Sequence, residues 1–244
     1  MKRVKAITTR FVTCALALLF TAGLIACSDE DTQNTGVTEA DVADAIEASL
    51  TAESNGVAKM AADVSELAKA QSVYTARPDL ACGEFYTVQY HPTYTGPNFS
   101  YDYSGTRVYS LFCGNEGTPM SFDYDSQLSG TYETPRMLSD DNATANVSFT
   151  NLTGGNTTNI NGSYIRNGSQ QSKVRLRRSF SSVIRINLYT VSFDKISREI
   201  TGGTATVSIT GTGVNTFYYN GSITFNRNNT ATLTINGTTY TINL

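Results

Sequence analysis

The chain has 244 residues, with 18 Lys and Arg against 21 Asp and Glu, one His and no Trp. A net charge of −3 offers no broad positive field to a polyanion, which argues against nucleic acid as a partner. A single histidine leaves little from which to build a metal centre, and no cofactor is expected. The chain opens on Lys2, Arg3, Lys5 and Arg10, with no acid before Asp29. An uncharged run rich in Ala and Leu follows from Phe11 to Ala26. A basic start, an apolar run and small residues near its end form the pattern of a secretory signal, here residues 1–26. The run is shorter than the ~20 residues that span a bilayer.

The residues that close the run, Leu24-Ile25-Ala26-Cys27, resemble the lipobox of bacterial lipoproteins. The resemblance implies that the Cys27 thiol receives a diacylglycerol, that cleavage falls before it, and that the new amino group is acylated. Several acyl chains hold a protein stably where one holds it only marginally, at ~0.8 kcal/mol per buried methylene. Without the four leading bases, the rest of the chain carries 14 bases against 21 acids, a net −7.

Ser28-Asp29-Glu30-Asp31 follows the cysteine. It is similar to the export signal of surface lipoproteins in the Bacteroidota, which implies the outer face of the outer membrane. A solvated acidic tether on a periplasm-facing lipoprotein is the alternative. Residues 27–36 are read as the lipidated tether.

Composition changes near Gln71. Residues 37–71 are acidic, alanine-rich and free of aromatics, and read as a helical segment. Thr38 is the expected N-cap, with Glu39 and Asp41 in the positive first turn. Val37 and Val42 sit at staple positions. Val42, Ile46 and Leu50 recur at four-residue spacing; Ser54-Asn55-Gly56 interrupts, and the pattern resumes at Val57, Met60, Val64 and Leu67. Two short helices or one kinked helix with a narrow apolar stripe are expected.

From residue 72 onward the chain holds all 14 tyrosines and reads as strands and tight turns. Asn-Gly at Asn161, Asn167, Asn220 and Asn236 suits type I′ hairpin turns, which makes Tyr218–Ile223 and Thr232–Tyr240 expected hairpins. Ala205, Val207 and Ile209 share a face, as do Ala231, Leu233 and Ile235. In Val183–Phe193 the apolar phase switches, which predicts a bulge near Leu188. The expected fold is mainly β: roughly a dozen antiparallel strands in a hairpin-rich sandwich or an open curved barrel over residues 72–244, preceded by the short helical segment. This region is similar to lipoproteins of flavobacteria, a likeness that implies no activity.

Cys14 lies in the signal and Cys27 carries lipid, so Cys82 and Cys113 are left to pair in an exported protein. Such a bridge closes a loop of roughly thirty residues, contributing ~3 to 4 kcal/mol in the chain-entropy model. His91, in Tyr90-His91-Pro92, has no nucleophile elbow near it. Asp123 and Asp125 share a strand face ~7 Å apart, a spacing open to a glycosidase or calcium, but no further acids support either role. Asp140-Asp141-Asn142 reads as a turn. Two candidate ligand surfaces remain. Phe99, Tyr101 and Tyr103 lie on one side of a strand and either stack on a ligand or form core. Lys173, Arg175 and Arg177 alternate along a second strand face, with Arg166, Arg178, Arg185 and Arg198 nearby; they either meet anionic polymer or pair with the acidic helices.

The expected function is that of a membrane-anchored surface lipoprotein with a non-catalytic binding or structural β domain. Its partners are the membrane, through the anchor, and an extracellular glycan or protein. A periplasm-facing carrier of an apolar ligand is the alternative, and a carbohydrate-active enzyme a second one.

Overall fold

The computed structural model describes residues 36–75 and 78–244. The signal, Cys27 and the acidic run Ser28–Asp31 lie outside the described residues. Two helices come first, α1 (Glu39–Leu50) and α2 (Val57–Ala70), joined through a 3₁₀ turn at Ala52–Ser54. Eleven strands follow: β1 (Phe85–Tyr90), β2 (Thr93–Thr95), β3 (Ser100–Cys113), β4 (Pro119–Glu133), β5 (Met137–Thr150), β6 (Thr157–Ser172), β7 (Ser179–Asp194), β8 (Glu199–Thr212), β9 (Thr216–Asn226), β10 (Thr230–Ile235) and β11 (Thr238–Asn243). No helix among the described residues is long and apolar enough to cross a membrane.

The strands form one antiparallel sheet in the order β1-β3-β4-β5-β6-β7-β8-β9-β10-β11, with β2 paired to β3. From β3 onward each strand lies beside the next in sequence, as short hairpin connections dictate. The sheet is not closed into a ring, so the open curved alternative holds and the sandwich does not. Ten strands at ~4.8 Å spacing would measure roughly 45 Å if flat. Yet one helix pair reaches both edges: Tyr90 of β1 donates to Asp63 of α2, and Tyr240 of β11 donates to Glu39 of α1 at 3.0 Å. Two helices of ~10–12 Å diameter bridge those edges only if the sheet curls around them.

The sequence explains why the helices fit there. Alternating residues of each strand face inward, and on β5 two of these are Ala143 and Ala145, both buried. On the helices Ala45, Ala48, Ala58, Ala61 and Ala68 are buried as well, so backbones approach closely. The narrow stripe expected for α1 is overtaken by this enclosure: Asp41, Asp44 and Ser49 are buried along with Val42, Ile46 and Leu50. The cap is as expected. Thr38 accepts from the Asp41 amide at 3.3 Å while Asp41 accepts from the Thr38 amide at 3.1 Å, closing a capping box.

The bulge expected near Leu188 is present. Leu188 pairs with Gly162 and Val191 with Ile160, so Tyr189 and Thr190 together lie opposite the single residue Asn161, one residue in excess. Thr190 has φ +48° and donates its amide to Asn161 at 2.8 Å. Leu188 and Val191 therefore both face inward. Of the four Asn-Gly pairs expected as hairpin turns, only Asn236-Gly237 is one, joining β10 to β11 with φ +48° and +87°. Asn161 and Asn167 lie within β6, and Asn220 within β9. Their glycines answer crowding on the concave face: a Cβ on Gly168 would come within 2.4 Å of Asp141, and one on Gly221 within 2.5 Å of the Thr234 carbonyl. Glycine serves there to let neighbouring strands close up, not to turn the chain.

Candidate functional site

The basic candidate surface is not a strand face. β6 ends at Ser172, and Arg175, Leu176 and Arg177 form a tight turn with φ of +44°, +67° and +53°. Strand alternation would bury Val174 and Leu176 beneath the charged face, but Val174 is only half-buried and Leu176 is 68% exposed. Arg175 reaches Asp41 at 3.3 Å and also pairs with Asp44, which Arg136 meets at 2.8 Å; Arg178 meets Asp41 at 3.0 Å. Lys173 bonds Glu133 and the Thr134 carbonyl, at 2.7 and 2.9 Å. Of the basic residues read as a patch, Arg198 pairs with Glu66 at 2.9 Å, and Arg177 stays exposed beside Leu176. The basic cluster is chiefly a clamp on α1.

That clamp has a clear physical logic. Acids in the first turns of α1 complement its positive end, and burial would oppose their charge without partners. Desolvation pushes the Asp41 carboxyl up, but its bonds to Thr38 and the charges of Arg178 and Arg175 together bring it below the usual range. With Asn236 and Tyr240 bonded to Glu39, the turns β4–β5, β6–β7 and β10–β11 all grip this helix end. The fourth turn on that side, β8–β9, lies against the preceding residues: a Cβ on Gly36 would lie 3.5 Å from Asn215, and one on Gly213 would lie 2.8 Å from Val37.

The aromatic candidate surface is core. Tyr101 and Tyr103 are buried, and Phe99, just before β3, is half-buried and stacked on Tyr94 at 4.5 Å. Tyr103 leads to a feature that the sequence reading missed. Arg166, read as part of the basic surface, points inward from β6 and is fully buried. It donates to the carbonyls of Ala48 (3.0 Å) and Ser54 (2.7 Å) in the helical segment and to the Tyr164 hydroxyl (2.9 Å). Its Nε lies 3.5 Å from Asp141, and its guanidinium lies 4.7 Å from the centre of the Tyr132 ring. Asp141 is therefore no turn residue. It sits within β5 and accepts from Tyr103 at 2.8 Å and Ser139 at 2.6 Å. Burial opposes the charge on Arg166, but Asp141 and the surrounding phenols outweigh it and its pKa moves up. Burial likewise raises the Tyr103, Tyr132 and Tyr164 phenols, keeping them neutral.

The remaining candidates occupy ordinary places. Exposed His91 pairs with exposed Asp102 at 2.7 Å. Asp123 accepts from Ser148 at 2.7 Å, and Asp125 from Asn146. Cys82 and Cys113 form a disulfide with Cα atoms 5.6 Å apart. Among the described residues no group of three or more His, Cys, Asp or Glu is placed to hold a metal ion.

The helices occupy most of the concave side, leaving a crevice of about 200 Å³ between α1 and the β4–β5 turn. Between α2 and the tyrosines of β1, β4 and β6 there is a void of about 10 Å³ lined by Asp63, Tyr90, Tyr124 and Ser126, about the volume that one water needs. The roomier depression is on the convex face, an open trough of about 570 Å³ over β5 to β8. Asp140, Ser169, Ser181 and Thr212 are successive cross-strand partners there, flanked by Leu138 and Gln171. No family model, curated protein or solved structure matches the chain.

Proposed function

We propose that this is a lipid-anchored, non-catalytic surface protein whose convex trough over β5–β8 binds a polar extracellular polymer, with a glycan as the leading class. The observation that carries this reading is the division of the molecule: helices and a buried ion pair fill the inside, while the outside presents a row of hydroxyl, amide and carboxylate groups across four strands. Such a row offers donors and acceptors at the ~4.8 Å strand repeat and leaves a ligand partly solvated. The strand-face carboxylates Asp123 and Asp125 accept bonds from the neighbouring side chains of Ser148 and Asn146. A carrier of an apolar ligand is the weaker reading, because the helices occupy the concavity it needs. Cys27 and the signal before it support the anchor, and the acidic run after it supports surface display.

The test is a panel of neutral and acidic polysaccharides against the mature chain and its Ser181→Arg variant, which places a long side chain across the trough. Binding weakened at least tenfold, with unchanged melting, is the expected result. If the variant binds as the parent does, or if no polysaccharide binds either form, the reading is wrong.

A further inference from the structure

Exposed Leu at a left-handed turn is unfavourable on two counts. The backbone there suits Gly or Asn, and the side chain stands in water. Leu176 is such a residue, at φ +67° and 68% exposed. Val214, at the neighbouring β8–β9 turn, is 56% exposed. Arg177 is exposed beside Leu176. All three stand at the end of the sheet where α1 begins, and Gly36 lies beside Asn215, next to Val214.

Chain length decides which way this end faces. Only Ser28 to Thr35 separate Cys27 from Gly36. Fully extended, that stretch reaches at most about 32 Å, and a relaxed chain of the same length spans roughly 17 Å. The opposite end of the sheet lies a strand away. β8 has 14 residues, or about 45 Å along the strand, and still roughly 33–37 Å at the tilt of a curled sheet. An anchor at Cys27 therefore brings the α1 end to the bilayer and leaves the other end beyond the tether's reach.

We propose that the end bearing the β6–β7 and β8–β9 turns is a membrane-docking surface, with Leu176 and Val214 seated in the headgroup region and Arg177 beside the lipid phosphates. Two apolar side chains and a base form a surface too small to hold a protein on lipid unaided. Next to a tether that keeps it at the bilayer they suffice to orient it. The inference rests on the reading that Cys27 is acylated.

The experiment uses the mature lipidated protein in vesicles of phosphatidylethanolamine and phosphatidylglycerol. An environment-sensitive fluorophore is placed in turn at Leu176→Cys, Val214→Cys and Ile196→Cys. The last is an equally exposed control, at 72%, on the β7–β8 turn of the opposite end. Lipids carrying a quencher near the headgroup should dim the probes at 176 and 214 at least threefold more than the probe at 196. In a second arm, Leu176→Asp should reduce quenching at 214 while flotation with the vesicles is unchanged. Quenching at 196 equal to that at 176, or none at 176 and 214 in protein that floats with the vesicles, overturns the docking surface and leaves the anchor intact. A Cys27→Ser protein that floats as the parent does refutes the anchor, and the orientation argued from it falls too.

Discussion

Replacing Arg166 probes the centre of the fold. An Arg166→Met chain keeps much of the side-chain length but loses the donors to the carbonyls of Ala48 and Ser54 and to Tyr164. It also strands Asp141, which keeps Tyr103 and Ser139 as donors but loses its cation. Removing one member of a buried pair costs about 3–5 kcal/mol, since the partner's charge remains desolvated. Because Asp141 retains two hydroxyl donors, the lower half of that range is expected. A domain of this size shifts about 2–4 °C in Tm per kcal/mol, so melting followed by circular dichroism should fall by roughly 6–16 °C. Asp141→Asn alone should cost at least as much, since the guanidinium then has no anion. Arg166→Met with Asp141→Leu should recover part of the loss, as replacement of a whole buried pair by apolar groups often does. An Arg166→Met loss under about 1 kcal/mol, or a double variant no better than the sum of the singles, would refute the idea that the pair is coupled and buried.

Reduction of the Cys82–Cys113 bridge, sequence separation 31, should lower stability by about 3.5 kcal/mol in the chain-entropy model, measured by urea unfolding with and without reductant. Glu47 borders a crevice with Glu53 and Arg136; burial raises its carboxyl, Glu53 adds to this, and Arg136 opposes both. Its ionised form thus works against the fold at neutral pH, and the strain is relieved as pH falls through the raised folded pKa. Glu47→Gln should raise Tm at pH 7 by a few degrees at most, with the gain vanishing towards pH 4. Asp41 has the opposite sign: its stabilisation is present above the unfolded value of 3.8 and fades as pH falls through the lowered folded pKa. Asp41→Asn should therefore cost stability at pH 7 and much less at pH 2. Cys27→Ser should accumulate as the uncleaved precursor on gels; normal processing and membrane attachment of that variant would dismiss the lipoprotein reading.

Patterns repeated along the chain were legible in the sequence. The alternation in β8 and β10, the phase switch at Leu188, the Thr38 cap and the Cys82–Cys113 pair all act through near neighbours or simple elimination. Misreadings arose where a local signal served a distant purpose. Asn-Gly at 161, 167 and 220 reads as a turn, yet its glycine relieves a clash with the adjacent strand. Lys173, Arg175 and Arg177 alternate as strand residues do, but alternation cannot register that Arg175 and Arg178 are drawn to acids on α1, over 130 positions away. Arg166 and Asp141 each look like surface residues, and only their meeting across adjacent strands makes them interior. The Gln170 side chain, buried and bonded to Ser182 at 2.8 Å, belongs to the same class of polar core that composition hides.

The hydrogen bonds that Asn236 and Tyr240 donate to Glu39 join the two ends of the described chain. The wall grows by neighbour-to-neighbour pairing, a local process that needs little search. The helices, by contrast, are made first and sealed last. Synthesised amino end first, the chain carries α1 and α2 unpartnered until the strands around them are made, and β11, which bears Tyr240, completes the enclosure. A chain cut short before Thr238 leaves Glu39 without the phenol of Tyr240, β10 with an unpaired edge, and alanine-rich helix exposed. These are the features by which proteases tell an unfinished product from a finished one.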